Sequence, residues 1–246
     1  VLKVKDLVVK GDRGNIAVQG VSFNIQSGEI VGIAGVDGNG QSELTQALTG
    51  LREVVSGEFW VEGFKLTNAS PYQVIQHNVG HIPEDLGDGI VGEMTLVDNL
   101  MINRHYNPPY SKNGWIDERY MEAEALELIH RHDIRTSGPF AKAKTLSGGN
   151  KQKLIVAREI TRKPSLLVAA HPTRGVDIGA EEYIRNQLIA MRNSGGAILL
   201  VSTKLDEIMD LSNRILVIEK GRIMGEMTRE EATIERIGLL MAGTEA

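Results

Sequence analysis

The chain has 246 residues, no cysteine and 24% charged residues. A chain of this length buries a substantial hydrophobic core, which excludes a miniprotein held together by disulfides. Lysine and arginine number 27 and aspartate and glutamate 32, so the net charge is −5, and this mild acidity argues against nucleic acid as a partner. The lack of cysteine also excludes thiolate nucleophiles and cysteine-ligated metals.

The first third of the chain has a strand-rich pattern interrupted by glycine turns. Alternating or continuous apolar residues predict strands at residues 2–9, 18–25, 29–34, 58–61 and 79–82. The strand at 29–34 leads into a glycine loop at 35–42 and then into a stretch of helical spacing at 43–48. The order of strand, glycine loop and helix is the context in which such a loop binds phosphate.

The rest of the chain changes from a helical pattern to an alternation of helices and strands. Helical spacing over 94–132, broken at 107–114, predicts a helical lobe at 85–145, with 1–84 and 146–246 forming the core. The pattern then predicts a helix that follows Gly149 and ends near 161, and a second helix at 180–192. It also predicts strands at 166–170 and 197–201 and a hairpin at 217–226. This alternation requires crossovers, so it predicts an α/β fold with a mainly parallel sheet flanked by helices.

The glycine loop has the shape of a phosphate site but lacks one of its usual groups. Gly35, Gly38 and Gly40 would let backbone N–H groups converge on an anion at the start of a helix. The usual loop places lysine before the serine or threonine, whereas this chain has Gln41 before Ser42. Loss of the ammonium contact should cost about 1.5 to 3 kcal/mol of nucleotide binding. A glycine turn required only for packing the strand against the helix is the alternative.

A second motif indicates the family. The string LSGGNKQK at 146–153 resembles the signature motif of ABC transporter ATPases. The resemblance covers nearly the whole chain and is strongest to the second nucleotide-binding domain of duplicated ATPase subunits in sugar and nucleoside importers, leaning to the nucleoside branch. The strings that carry it are GVDGNGQSEL at 35–44, HIPED at 81–85, LSGGNKQK at 146–153, PTRGVDIGA at 172–180 and IGLLMAG at 237–243.

This resemblance implies an ABC ATPase fold with a RecA-like P-loop core, an antiparallel β-subdomain and a helical subdomain that carries the signature. It implies ATP and Mg²⁺ as cofactors, both held weakly, with Ser42 as a weak metal ligand. The residues expected to contact nucleotide are Gly35, Asp37, Gly38, Asn39, Gly40, Gln41, Ser42 and Glu43. The signature residues expected to serve a partner domain's site are Ser147, Gly148, Gly149 and Asn150.

Two further residues, Arg174 and Asp177, are expected at the dimer interface by the same resemblance. Local alternatives exist within these motifs. Ser147 is also the residue type that caps a helix after a glycine turn, and Asp177 is equally suited to cap the helix that follows it.

Four positions besides Gln41 depart from the family pattern, and we assign no catalytic residue. Ala170 and His171 stand where the family has an aspartate and a glutamate, Glu84 replaces the coupling glutamine, and Thr203 replaces the switch histidine. Residues 9–16 also lack the aromatic residue that stacks on adenine. We therefore expect a degenerate site with little or no ATPase activity, with a neutral His171 imidazole acting as a base as the alternative.

The resemblance also implies partners and a location. Because the chain begins with Val1, we expect it to be part of a longer polypeptide with an N-terminal ABC domain upstream. Further expected partners are transmembrane permease subunits and, indirectly, an extracytoplasmic solute-binding protein, with the domain peripheral on the cytoplasmic face of the membrane. The rival interpretations are a nucleotide-insensitive docking or regulatory domain, and a soluble ABC-type ATPase of translation or DNA repair.

Overall fold

The computed structural model describes residues 1–244. Its strands are β1 (Leu2–Lys10), β2 (Ile16–Ile25), β3 (Ile30–Ala34), β4 (Val54–Val61), β5 (Phe64–Lys65), β6 (Val79–Ile82), β7 (Ser111–Lys112), β8 (Trp115–Ile116), β9 (Leu166–Ala170), β10 (Ala197–Val201), β11 (Arg214–Glu219) and β12 (Arg222–Thr228). Its helices are α1 (Gln41–Leu48), α2 (Pro71–Gln76), α3 (Leu86–Gly89), α4 (Leu96–Met101), α5 (Glu118–Arg131), α6 (Gly148–Thr161), α7 (Ile178–Asn193), α8 (Leu205–Leu211) and α9 (Ile234–Met241), with a 3₁₀ turn at Ala143–Thr145.

Packing between residues divides the chain into two units. Within the described residues, the first contains 1–81, 163–171 and 188–244, and the second contains 82–162 and 172–187. Helix α6 therefore groups with the second unit, beyond the predicted lobe boundary at residue 145. The division into domains stays a prediction.

The first unit is built on two sheets. In the described residues, one sheet has the order β12-β11-β3-β10-β9-β6, and the other is antiparallel with the order β2-β1-β4-β5. Strand β3 pairs in parallel with β10 and β11, and β10 pairs in parallel with β9. Every residue of β3, β9 and β10 is buried, which explains why these strands are continuously apolar rather than alternating.

The second unit is mainly helical. Helix α4 packs against α5 and α6, and α3 also packs against α6. Their apolar faces form a core that includes Leu96, Leu100, Leu128 and Leu154, each at most 1% exposed. Thr95 caps α4 through a capping box with Asp98, because its hydroxyl accepts the backbone N–H of Asp98 and the carboxylate of Asp98 accepts the N–H of Thr95.

The predicted fold class is confirmed, and the differences are local. Helix α1 begins at Gln41 instead of residue 43, α7 begins at Ile178 instead of 180, and β4 begins at Val54 instead of 58. The turn-rich stretch at 107–114 contains β7 and leads to the short hairpin partner β8, which the helical pattern did not predict. No helix in residues 1–244 has the length and apolarity needed to cross a membrane.

Candidate functional site

Several predicted site residues lie together at one edge of the parallel sheet in the first unit. Strands β3, β10 and β9 are neighbours that run in the same direction, with Val201 opposite both Ile33 and Ala170. The chain therefore leaves these strands at the same edge, where ligands bind in open α/β sheets. The glycine loop follows β3, His171 follows β9, and Thr203 lies just beyond β10.

The backbone of the loop explains why glycine is required at particular positions. Gly38 and Gly40 have φ angles of 87° and 98°, a region that other residues rarely adopt. A Cβ atom on Gly40 would clash with the backbone carbonyl of Ala17, and one on Gly35 would clash with the amide of Gln41 and with Ile218. Packing within the first unit is thus enough to explain Gly35 and Gly40.

The side chain of Gln41 turns into the loop instead of outward. It is 5% exposed, its Oε1 accepts the backbone N–H of Asn39 at 3.1 Å, and its Nε2 donates to the carbonyl of Val36 at 3.1 Å. Gly40 adopts the left-handed N-cap conformation of α1 and supplies no side-chain cap. The lysine position of the motif is therefore occupied by an amide that bonds to the loop itself.

Asn39 joins the loop to the turn between β11 and β12. Its Oδ1 accepts the backbone N–H of Lys220 at 2.7 Å, and its carbonyl accepts that of Gly221 at 3.0 Å. Its Nδ2 also donates to the carbonyl of Val36 at 3.1 Å. Sequence reasoning placed Asn39 among the phosphate-binding residues and missed this role, since nothing in the local pattern connects it to a turn so distant in the chain.

The remaining loop residues differ in solvent exposure. Asp37 and Gly38 are exposed, whereas Ser42 and Glu43 are half-buried in the first turn of α1. A carboxylate oxygen of Asp37 lies within 4.8 Å of an imidazole nitrogen of His171. The structure thus brings Asp37 and His171 together, which the sequence analysis did not anticipate.

The end of β9 lacks the acidic groups expected in an active site. Ala170 is 2% exposed and has no oxygen in its side chain, and His171 is 6% exposed. The backbone N–H of His171 donates to the carbonyl of Val201 at 2.7 Å, and its φ angle is 46°. Ala170 therefore offers no side-chain ligand for Mg²⁺, whereas Ser42 offers a hydroxyl and Asp37 a carboxylate in the same unit.

The signature motif forms the start of α6 in the second unit. Ser147 caps the helix, because its Oγ accepts two hydrogen bonds from Asn150, one from the backbone N–H at 3.4 Å and one from Nδ2 at 2.9 Å. Ser147 and Gly148 are exposed, whereas Gly149 is buried, with its Cβ position 3.0 Å from an oxygen of Asp177. Ser147 is therefore the N-cap of α6, and the first two residues of the motif's glycine turn remain on the surface.

The loop before α7 is fixed at three points within the second unit. The Nε2 of the buried Gln152 donates to the carbonyl of Pro172 at 2.7 Å, and Oδ1 of Asp177 accepts the N–H of Ala180 at 2.9 Å. Arg174 forms an ion pair with Glu84 at 2.7 Å. Asp177 therefore caps α7, and the carboxylate of Glu84 is paired with Arg174.

The second unit also buries a histidine in a polar cluster. His132 is 4% exposed, its Nδ1 is hydrogen-bonded to the hydroxyl of Tyr183, and its Nε2 has no partner among the described residues. Burial, with a contribution from Arg131, lowers the pKa of His132 to about 4. Burial raises the pKa of Tyr183, and Lys153 lies over its ring while pairing with Asp133. Histidine 132 is thus held neutral at physiological pH.

Comparison with known proteins adds family evidence to this geometry. The family model described as ABC transporter matches residues 18–174. The nucleoside import ATP-binding protein NupA of Lactococcus lactis is 46% identical over 99% of this chain, and the guanosine import ATP-binding protein NupO of Bacillus subtilis is 45% identical over 99%. The ribose import ATP-binding protein RbsA of Bacillus licheniformis is 38% identical over 99%. The chain spans about half the length of these relatives, 48% in each case.

Solved structures support the fold independently. A bacterial ABC transporter cassette solved as a dimer superposes with a TM-score of 0.80 at 20% identity, covering 93% of this chain and 99% of that one. A nucleotide-free ATP-binding cassette from an ABC transporter superposes with a TM-score of 0.78 at 24% identity, covering 98% and 95%. Together with the match over residues 18–174, these similarities show that the chain has the ABC ATPase fold and belongs to the ABC transporter family.

Proposed function

We propose that this chain is a nucleotide-binding domain of an importer for nucleosides or simple sugars, and that its signature motif completes the nucleotide site of a partner domain. The observation that carries the proposal is the contrast between an exposed signature start at Ser147 and Gly148 and a loop without the ammonium group, where Gln41 is turned inward. The similarity to the nucleoside importer NupA, the guanosine importer NupO and the ribose importer RbsA supports import as the process and nucleosides as the first substrate class to test.

The proposed partner is an N-terminal ABC domain in the same polypeptide. The chain aligns over 99% of its own length with 48% of NupA, so relatives of this kind have room for a second domain of similar size. Transmembrane permease subunits are the further partners, with a solute-binding protein acting indirectly and this domain peripheral on the cytoplasmic face. Arg174 and Asp177 remain proposed interface residues, and both are exposed.

This domain's own site is proposed to bind ATP weakly and to hydrolyse little. The loop can offer backbone N–H groups to phosphate, but no ammonium group follows Gly40 and Ala170 offers no carboxylate. Ser42 provides only a hydroxyl for Mg²⁺. His171 is buried and close to Asp37. Its imidazole does not replace the carboxylate of the glutamate that polarises water in the family.

The test is to change the signature in the complete transporter. Ser147→Arg should abolish ATP turnover and transport, because arginine would fill the exposed start of α6 where a partner's γ-phosphate is expected. Ser137→Arg, at an exposed serine of the same unit, is the matched control and should leave transport unchanged. Transport and phosphate release are measured in vesicles with both variants expressed at equal levels.

Normal transport by the Ser147→Arg protein would show that the motif is only a capped helix and would overturn the proposal. If both arginine variants lost transport, the effect would be general to this unit, and a role specific to the signature would also be refuted.

A further inference from the structure

The side chain at position 41 has both a donor and an acceptor facing the backbone of the glycine loop. Oε1 of Gln41 takes the N–H of Asn39, and Nε2 donates to the carbonyl of Val36. The side chain is 5% exposed, and its amide lies against Gly35, where even a Cβ atom would collide with it. The amide is therefore packed inside the loop.

These two bonds have different consequences for an incoming anion. A phosphate is bound in such loops by backbone N–H groups, so the N–H of Asn39 cannot serve Gln41 and a phosphate oxygen fully at the same time. A lysine has only donors, so it can bond to the carbonyl of Val36 but cannot accept the N–H of Asn39. The glutamine amide thus occupies the backbone N–H of Asn39, which a lysine ammonium would leave available to an anion.

The backbone of Asn39 and Gly40 is held in place by residues outside the loop. The carbonyl and Oδ1 of Asn39 accept the N–H groups of Gly221 and Lys220, and Gly40 abuts the carbonyl of Ala17. Because the backbone of Asn39 is held by the turn between β11 and β12, rotation of the Gln41 side chain is the simplest way to free the N–H of Asn39.

We propose that Gln41 is a built-in competitor for phosphate: its side-chain amide occupies the N–H of Asn39, and a polyphosphate must displace it to bind. This inference rests on the proposed function of the loop as a phosphate site and adds a cause of weak binding that is separate from the missing ammonium group. It predicts that Gln41→Ala tightens phosphate binding, whereas loss of a polar contact would ordinarily be expected to weaken it. Gln41→Ala removes a polar contact from the loop and should nevertheless tighten polyphosphate binding about two- to tenfold, the worth of one neutral hydrogen bond.

The experiment separates the contact from the binding. Backbone amide exchange of Asn39 is measured by ¹⁵N NMR in ligand-free wild type, Gln41→Ala and Gln41→Met, and tripolyphosphate and ATP are titrated into each by calorimetry. Methionine keeps most of the side-chain volume, and its thioether sulfur is only a weak acceptor for the N–H. Gln46→Ala, which removes a glutamine of α1 bonded to Arg52 outside the loop, is the matched control. Both variants at position 41 should show faster exchange at Asn39 and tighter tripolyphosphate binding, with no change in the control.

Unchanged exchange of the Asn39 amide in Gln41→Ala would show that the contact is absent in solution and would overturn the inference, while leaving the proposed function of the loop intact. Faster exchange with equal or weaker tripolyphosphate binding would overturn it as well. Tightening in Gln41→Ala alone would show that side-chain volume blocks the loop, which also refutes competition for the N–H. A complete lack of ATP and tripolyphosphate binding in every variant would refute both this inference and the proposed phosphate site.

Discussion

The two units each present a glycine-containing helix start, and the two differ in what their side chains do. In the second unit, Ser147 caps α6 from outside, and the motif's first residues remain on the surface. In the first unit, Gln41 turns inward and bonds to the loop that precedes it. Glycines that fit the packing, such as Gly35 and Gly40, are present in the loop although its ammonium group is absent. A glycine pattern therefore reports backbone shape, and the side chains at the helix start decide the chemistry.

The largest expected effect concerns hydrolysis in the first unit. The purified chain and its Gln41→Lys variant should release no phosphate from ATP above background, because Ala170 and His171 provide no carboxylate at the end of β9. Adding Ala170→Asp and His171→Glu to Gln41→Lys should be required before turnover rises, with Glu84→Gln tested in the same background. Steady-state phosphate release and thermal melting are measured together, since both replaced side chains at the end of β9 are buried.

Wild-type phosphate release that disappears in His171→Ala would contradict this prediction and assign the histidine as a general base. Such a result would also remove the functional contrast between the two units.

The next effect tests whether packing alone explains the loop glycines. Gly40→Ala should destabilise the chain by about 3 kcal/mol, because it combines a left-handed φ angle with a clash against the carbonyl of Ala17. Gly38→Ala should cost about 1 kcal/mol, since its φ angle is also positive but no atom lies within 4 Å of the added Cβ. Gly148→Ala in the signature should change stability by less than about 0.5 kcal/mol. Urea unfolding measures all three.

Equal losses of stability for Gly38→Ala and Gly40→Ala would show that the clash with Ala17 is relieved in solution. A large loss of stability for Gly148→Ala would contradict the expected difference between the glycine loop and the signature. The atom nearest to a Cβ on Gly148 is the carbonyl oxygen of Gly175 at 3.7 Å, which is an ordinary contact.

The affinity of the loop should respond to restoring its missing charge. Gln41→Lys should tighten ATP binding by about ten- to over a hundredfold, the worth of roughly 1.5 to 3 kcal/mol for a charged hydrogen bond. It should also exceed the gain in Gln41→Ala, because lysine removes the acceptor and adds an ammonium group. Titration with a fluorescent ATP analogue compares the two variants with wild type. Unchanged affinity in the lysine variant would mean that the loop is not shaped to receive phosphate.

The stability of the chain should also depend on pH through a residue of the second unit. The folded pKa of His132 is about 4, below the ordinary value of 6.5, so the unfolded chain binds a proton that the folded chain does not as the pH falls below about 6.5. Stability should therefore fall by about 2 kcal/mol between pH 7 and pH 5 through this residue, and then level off below its folded pKa.

Urea midpoints of wild type and His132→Gln across this range measure the effect, and the variant should show a flatter pH profile. Parallel profiles would assign the acid sensitivity to other groups, with Asp133 and Lys153, which form an ion pair in the same cluster, as the next residues to test.

The sequence predicted most of the architecture because its evidence was local. Continuous apolar runs correctly identified the buried strands β3, β9 and β10. That the glycine loop, His171 and Thr203 follow these strands at one edge of the sheet was shown by the structure. The hairpin of β11 and β12 followed from a turn between two apolar runs. The short pair of β7 and β8 was missed, because two-residue strands are too short for a period to be recognised.

The fold class, the family resemblance and the absence of particular chemical groups could be predicted from the sequence, since an alanine has no carboxylate and a glutamine no ammonium wherever it lies. What the remaining groups contact depended on how the chain folds. The bonds from Asn39 to the turn at Lys220 join residues 181 positions apart, and the ion pair of Glu84 with Arg174 joins residues 90 apart. The inward turn of Gln41 was equally invisible, because the direction of a side chain depends on the backbone groups that folding places around it.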